Sequence, residues 1–453
     1  MRLSFPSLMV LLMILVNGAV GQEDRYPNPP TPKPVDPNAP SFLPLDIQVD
    51  AFVRIPQARS QFQVDGKGLA VVVIDTGINA QHDSFRERLI PGKNFTSEGG
   101  PDDTTDHHGH GSNCAGIIMG REMDGENSVP TGVAPQAKVI SLKVFPGGEF
   151  TSINSALEWV IAKRDGIRTT HGVTISVVNM SLGNGVNLQT VDPNTLPQAL
   201  KRQHELIVQL RGLNIAVTVA AGNAYKSFAP AEGMGFPGIC KETVSVGAVY
   251  DTSFPRRFDG QPLITYVDNA KVFEAVPERL TVFSQRLGSA RGNEFRTDIF
   301  APGFIVTAAG PVPQAGSTEN PARTRSTDDG TSQASPVVAG TILLLQHRYQ
   351  NLMRSIGREP GLPPVTLIES CLRTGGKPIT DVEDMVAQQM DNVQSCGAVD
   401  LFRVDAVGAL EDLSNRFQAD LRNLQLNLFT QPTTASQAKV LDEATILQTK
   451  VKK

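Results

Sequence analysis

Six near-continuous apolar runs constrain the fold more than any other feature of this sequence: Leu69–Asp75, Lys138–Val144, Ile175–Leu182, Asn214–Ala221, Thr243–Val249 and Asp298–Ala301. Val- and Ile-rich runs without alternation suit strands covered on both faces, as in a parallel sheet. Between them the apolar spacing turns helical. Ile153, Ala156, Leu157, Val160 and Ile161 fall on one helix face; Leu196, Leu200, Ile207 and Leu210 mark a second helix; Val337, Val338, Ile342, Leu343 and Leu345 mark a third. Strand–helix alternation predicts an α/β fold: a three-layer sandwich around a central, mainly parallel sheet with right-handed crossovers.

Composition narrows the function classes. Among 453 residues, 40 Gly and 32 Pro favour loops and tight turns over a helical bundle. Hydrophobic residues at 40% supply a large core, and charged residues at 19% are too few for a disordered chain. With 46 acidic and 41 basic residues the net charge is −5, so there is no global positive field and nucleic acid is not an expected partner.

The N-terminus reads as a cleaved secretory signal over residues 1–21. Arg2 precedes the apolar run Leu8 to Val16, and the small-residue site Ala19-Val20-Gly21 follows. The run is too short to span a bilayer. Cleavage before Gln22 predicts a secreted or periplasmic protein with no membrane contact afterwards and, with no Cys at the cut, no lipid anchor. Residues 22–44 hold eight prolines and are expected to be an extended, disordered linker. Residues 45–412 carry the folded domain, and the stretch 413–453, rich in Gln, Asn and Thr, reads as a polar tail whose first part extends a helix to about Asn427.

Three Gly-rich motifs sit where strands meet loops or helices. Val71-Val72-Val73-Ile74-Asp75-Thr76-Gly77 sets a carboxylate at the C-terminal end of a buried strand, where open α/β sheets form their sites. Asp106-His107-His108-Gly109-His110-Gly111-Ser112-Asn113-Cys114 runs into a helix with His110 at its start. The three histidines also fit a metal cluster, but a surface His cluster without function is the commoner meaning. Gly330-Thr331-Ser332-Gln333-Ala334-Ser335-Pro336 puts Ser332 at a helix N-terminus, where free N–H groups favour a developing oxyanion. Taken singly, Asp75 reads equally well as a strand-end acid that caps a turn, and Ser332 as a plain helix cap.

Together, Asp, His and Ser in this order resemble the subtilisin-like serine protease family, peptidase S8. Asp-Thr-Gly at Asp75, His-Gly-Ser at His110 and Gly-Thr-Ser-x-Ala-Ser-Pro at Ser332 are its signatures, and the likeness runs from about Leu45 to Leu410. It implies a subtilisin-like fold and an Asp75–His110–Ser332 triad hydrolysing peptide bonds through an acyl-enzyme, with no cofactor in the chemistry. Val219-Ala220-Ala221-Gly222-Asn223 looks like the segment that supplies the oxyanion amide, from Asn223. Asn179-Met180-Ser181-Leu182-Gly183 resembles the substrate-binding strand, so Ser181, Leu182, Gly183, Ala221 and Gly222 are expected to line the substrate site. Met234-Gly235-Phe236-Pro237-Gly238 resembles the floor of the S1 pocket, with Gly235 leaving room for a large apolar P1 side chain. Polypeptide substrates and a monomeric enzyme are expected.

The sequence departs from the family in places. Ser112-Asn113 stands where Thr-His is usual, and Gln333 where Met follows the nucleophile. Family members often carry His-Pro-Asp at a structural calcium; here it is His82-Asp83-Ser84. Asp124, Glu126 and Asn127 offer oxygen ligands of the kind calcium takes, with a solvated acidic loop as the equal alternative, so the sequence leaves a structural calcium open. Residues 22–44 are too short for the folded inhibitory prodomain of secreted members. Cys371 and Cys396 flank one loop and are the expected disulfide; Cys114 resembles the free Cys beside the catalytic His in proteinase K-like members, and Cys240 reads as a buried thiol. Asn184–Leu196 and Asp251–Arg279 exceed the compact family pattern. A silent scaffold is disfavoured because all four catalytic positions are filled. An α/β-hydrolase esterase is rejected because it needs G-x-S-x-G and the order Ser, acid, His.

Overall fold

In the computed structural model the described residues are 24–29, 51–124, 128–266, 269–288, 295–379, 381 and 394–430. The expected signal (1–21) and most of the linker lie outside them, as do Glu126 and Asn127 and residues 431–453.

Nine strands form the central sheet, in the order β12-β13-β9-β6-β5-β4-β1-β3-β2. They are β1 (Leu69–Asp75), β2 (Leu89–Asn94), β3 (Lys138–Lys143), β4 (Thr174–Met180), β5 (Ala216–Ala220), β6 (Val244–Val249), β9 (Ile299–Pro302), β12 (Lys377–Ile379) and β13 (Leu401–Arg403). All neighbours pair in parallel except β12 with β13. Two small antiparallel pairs stand apart, β7 (Ile264–Thr265) with β8 (Lys271–Val272), and β10 (Val306–Ala309) with β11 (Arg325–Asp328). The six expected runs coincide with β1, β3, β4, β5, β6 and β9. Strand β2, LIPGKN, was not foreseen, because a Pro-Gly pair hides it.

Helices cover both faces. They are α1 (Ile55–Phe62), α2 (His110–Met119), α3 (Phe150–His171), α4 (Gln198–Gly212), the single turn α5 (Tyr225–Phe228), α6 (Thr331–Ser355), α7 (Val365–Thr374) and α8 (Ala406–Thr430). Successive strand residues point to opposite faces, so β1 feeds two cores. Val71 and Val73 join α2, α6 and α8, whereas Ala70, Val72 and Ile74 join α3 and α4. Helix α6 runs along β4, β5, β6 and β9, with Ile342, Leu343 and Leu344 fully buried.

One boundary moves. Tyr26, inside the expected linker, is 1% exposed and packs edge-on against Phe150 with centroids 4.9 Å apart. One aromatic side chain among the prolines anchors residues 24–29. At the other end α8 runs to Thr430, close to the helix end expected near Asn427, and Leu410 and Leu413 are buried in the core.

Candidate active site

Asp75 is the last residue of β1, still paired with Lys143 of β3 at the C-terminal end of the sheet. Its side chain is 1% exposed, and Oδ1 accepts from the Thr76 N–H at 2.7 Å and from His110 Nδ1 at 2.8 Å. That bond fixes the neutral imidazole with its proton on Nδ1 and its lone pair on Nε2. His110 opens α2, and Gly111 next to it cannot carry a side chain, since a Cβ would stand 2.2 Å from the Gly77 carbonyl oxygen. Burial pushes the imidazole pKa down. The charge and hydrogen bond of Asp75 push it up further, with Asp328 and Asp106 adding to them, and the net value is about 9.

Asp106 is the site residue whose role sequence reasoning missed. It is wholly buried, and Oδ1 accepts from Thr76 Oγ1, the His108 N–H and the Gly109 N–H at 3.0, 2.9 and 2.8 Å. Oδ2 accepts from the Ser112 N–H and hydroxyl at 2.9 and 2.7 Å. It ties the turn after Asp75 to the first turn of α2. The signal in the sequence was an acid four residues before His110 in a Gly-rich loop.

Ser332 is the second residue of α6 and 8% exposed. Its hydroxyl donates to the Ser181 carbonyl at 3.2 Å, and His110 Nε2 is buried without a hydrogen-bond partner. The Ser332 carbonyl accepts from Ser181 Oγ at 2.7 Å and from Cys114 Sγ at 3.5 Å. The two departures from the family pattern meet: Gln333 Nε2 donates to Asn113 Oδ1 at 3.4 Å, and both side chains are fully buried.

Asn223 follows β5 and is exposed to the cleft. Its Oδ1 accepts from both the N–H and the hydroxyl of Thr331 at 2.8 Å, so the amide nitrogen is left to face outward. The expected substrate-site residues converge beside it. Gly235 N–H donates to the Ala221 carbonyl at 2.9 Å, and Asn184 exchanges hydrogen bonds with the Phe236 backbone at 2.9 and 3.1 Å. A Cβ on Gly235 would meet nothing closer than 3.7 Å. Leu182 is buried, and Gly183 borders the same space.

Other expectations separate. His107 is exposed, the His108 ring bonds the Pro29 backbone and His110 bonds Asp75, so the three histidines do not converge. Among the described residues the one gathering of potential metal ligands is Asp75, His110 and Cys114, the bonded acid–imidazole pair with a neighbouring thiol. Asp83 pairs with Arg86 at 2.6 Å. The expected Cys371–Cys396 disulfide is corrected: both are free thiols. Cys371 faces Asp412 from within α7, whereas Cys396 donates to Asp381 Oδ2 at 2.9 Å, so each thiol is held by a different partner. Cys114 and Cys240 are free and buried.

A family model described as the Subtilase family matches residues 66–367. The chain is 33% identical over 192 residues to an "Intracellular serine protease" of Paenibacillus polymyxa, covering 41% of this chain and 51% of the relative. It is 31% identical over 188 residues to the "Major intracellular serine protease" of Bacillus subtilis (strain 168), covering 41% and 52%. It is 28% identical over 293 residues to "Subtilisin DY" of Bacillus licheniformis, covering 64% and 81%. The chain thus spans about half the length of the two intracellular relatives it matches.

Proposed function

This chain belongs to the subtilase family, and from that premise we propose that it is a serine endopeptidase acting through Asp75, His110 and Ser332. One observation carries the reading: the buried 2.8 Å bond from His110 Nδ1 to Asp75, which leaves Nε2 as an unoccupied base. His110 takes the Ser332 proton as Oγ attacks the peptide carbonyl carbon. The C–N bond then breaks, and His110 returns that proton to the leaving amine. Water repeats the sequence on the acyl-enzyme and releases the acid. Asn223 Nδ2 and the Ser332 N–H donate to the tetrahedral oxyanion. These side chains carry every proton and acyl transfer, so no cofactor is invoked.

The pocket above Gly235 favours an apolar P1 residue. The two acids that flank it are engaged elsewhere: Glu232 Oε2 accepts from the Gly288 N–H at 2.8 Å, and Glu242 pairs with His204 at 3.0 Å. A basic P1 group would therefore lose hydration without gaining a counter-ion, whereas a large apolar group gains about 1.5–3 kcal/mol. Export through residues 1–21 belongs to the same proposal on the strength of the Leu8–Val16 run; N-terminal sequencing of the cell-free protein tests it. Among the described residues no helix is long and apolar enough to cross a membrane.

The test of the chemistry is a fluorophosphonate label, mapped by mass spectrometry, with a peptide-library digest and Ser332→Ala as control. Labelling on Ser332 and cuts after Leu, Phe, Met or Tyr are expected. An unlabelled Ser332, or undiminished hydrolysis by the Ala variant, would defeat the assignment.

A further inference from the structure

Asn223 stands on a loop whose flanks are held by one short stretch of chain, Phe283 to Gln285. The Gln285 N–H donates to the Gly222 carbonyl at 2.9 Å, and the Tyr225 N–H donates to the Phe283 carbonyl at 3.1 Å. The Ala224 N–H points at Gln285 Oε1 over a longer 3.5 Å. Gly222 leaves the space that this side chain fills: its φ is +119°, and a Cβ there would stand 2.0 Å from Gln285 Oε1. The bracket is itself rooted in the sheet, where the Ala248 N–H of β6 donates to Ser284 Oγ at 2.9 Å. Thr331 holds the side chain of Asn223 at Oδ1. Gln285 holds the main chain on both sides of it.

The other end of the same amide reaches towards the pocket. Gln285 Nε2 donates to the Val186 carbonyl at 2.9 Å and to Asn187 Oδ1 at 2.8 Å, so two acceptors at one end and a donor at the other set which way the amide is turned. Val186 and Asn187 lie in the stretch Asn184–Leu196 that exceeds the compact family pattern. Their neighbour Leu188 pairs with Met234 through main-chain bonds of 2.8 and 2.9 Å, and Asn187 Nδ2 donates to the Ala231 and Glu232 carbonyls at 3.2 Å. The Val186 carbonyl oxygen also borders the space above Gly235, 3.8 Å from where a Cβ would stand. Gln285 is fully buried. One uncharged side chain thus joins the wall at 186–187 to the main chain that carries Asn223.

We propose that Gln285 is a positioning residue for the oxyanion donor: it holds the main chain of 222–224, and with it Asn223 Nδ2, in place from the wall at 186–187. The inference rests on the peptidase reading and adds a residue that acts on the reaction through Asn223. A donor lowers the barrier when it is fixed before the charge appears, and a displacement of about 1 Å in such a group is enough to slow the chemistry. The amide is buried with both ends bonded, so removing those ends releases the loop without leaving a charge behind.

The experiment runs steady-state kinetics on one amide substrate, with fluorophosphonate labelling of Ser332, for the unmutated chain, Gln285→Met, Asn223→Ala and the double variant. Met keeps the length and bulk of the side chain and removes both ends of the amide. The expected result is a kcat lower by about tenfold in Gln285→Met with KM within about twofold, and less than about twofold further loss when the same change is made on Asn223→Ala, because residues that act as a unit are not additive. The pH midpoint of the rate should stay in place, since no charge is lost. Asn187→Ala removes one acceptor of Nε2 from a half-buried position and should lower kcat by a smaller factor in the same Asn223-dependent way; it carries the test if Gln285→Met does not fold. An unchanged kcat, an equal loss in both backgrounds, a rise in KM at constant kcat, or a moved pH midpoint would make Gln285 a packing residue, and the inference falls alone. If Ser332 does not label and the unmutated chain cleaves no amide, the peptidase reading and the inference fall together.

Discussion

The hydroxyl of Ser332 donates to the backbone carbonyl of Ser181 at 3.2 Å, away from His110, whose Nε2 is buried with no hydrogen-bond partner. The nucleophile rests on the strand expected to bind substrate. Proton transfer requires its oxygen to swing to Nε2, a contact that commonly tightens only when substrate is bound. The resting arrangement thus orients the His110 ring through Asp75 and leaves the Ser332 hydroxyl bonded to the neighbouring strand.

The base has its own pH signature. His110 titrates near 9 because Asp75, Asp328 and Asp106 outweigh the effect of burial. A general base acts unprotonated, so kcat/KM should rise with pH through about 9 and be lost below it. The folded value lies above the ordinary 6.5, so protonation of the pair stabilises the fold fully below 6.5 and that contribution disappears as pH climbs through about 9. Asp106→Asn removes one negative charge and should move the midpoint of the rate profile to lower pH. An unmoved midpoint with a lower kcat would mean that Asp106 acts through loop geometry alone.

Asn223 should act on turnover rather than binding. Asn223→Ala is expected to lower kcat by about 10²–10³ with KM nearly constant, the size known for removal of one oxyanion donor in a subtilisin. Thr331→Val deletes the hydroxyl that bonds Asn223 Oδ1 but keeps the N–H bond, so its loss of kcat should be smaller. Steady-state kinetics on one amide substrate checks both. A rise in KM at constant kcat would make Asn223 a substrate clamp.

Gly235→Val should reshape selectivity and leave the triad intact. A Cβ at Gly235 would meet Ala221, Asn184 and Val186 only at 3.7–3.8 Å, and the two methyl groups beyond it would take up space at the floor. Cleavage after Phe or Leu should fall relative to cleavage after Ala, read from paired peptides differing only at P1. Equal loss on all substrates would place Gly235 outside the pocket.

The cysteines give a simple count. All four should react with an alkylating reagent in unreduced, denatured protein, and native reaction at neutral pH should be slow. Burial and Asp381 hold the Cys396 thiol up at about 11 even with Arg286 nearby, and burial pushes Cys371 up to about 12. Mass spectrometry of alkylated protein reads the number directly, and a missing pair would restore the disulfide.

Motif and periodicity made the sheet and the flanking helices legible and marked Asp75, His110 and Ser332 as candidates, because each depends on local pattern: the unbroken run of β1, the helical spacing of α3, glycines beside His110 and Ser332. What stayed hidden depends on partners distant in the chain. Asp106 is an ordinary loop acid until Thr76 and Ser112 are brought to it. Tyr26 sits in a proline-rich stretch, and nothing local announces that Phe150 and Gln203 will bury it. The cysteines misled because nearness in sequence was taken for nearness in space, whereas Asp412 and Asp381 draw the two thiols to separate places.

The site's three contributors come from well-separated stretches of chain: His110 meets Asp75 across 35 positions, and Ser332 meets Ser181 across 151. The nucleophile's helix is also the spine of one core, packed on β4, β5, β6 and β9. A chain that ends before α6 has neither Ser332 nor the helix that covers β4, β5, β6 and β9. The candidate triad is therefore assembled by long-range packing, and the residue that completes it arrives on a helix that follows β1 to β6 and β9 in the chain.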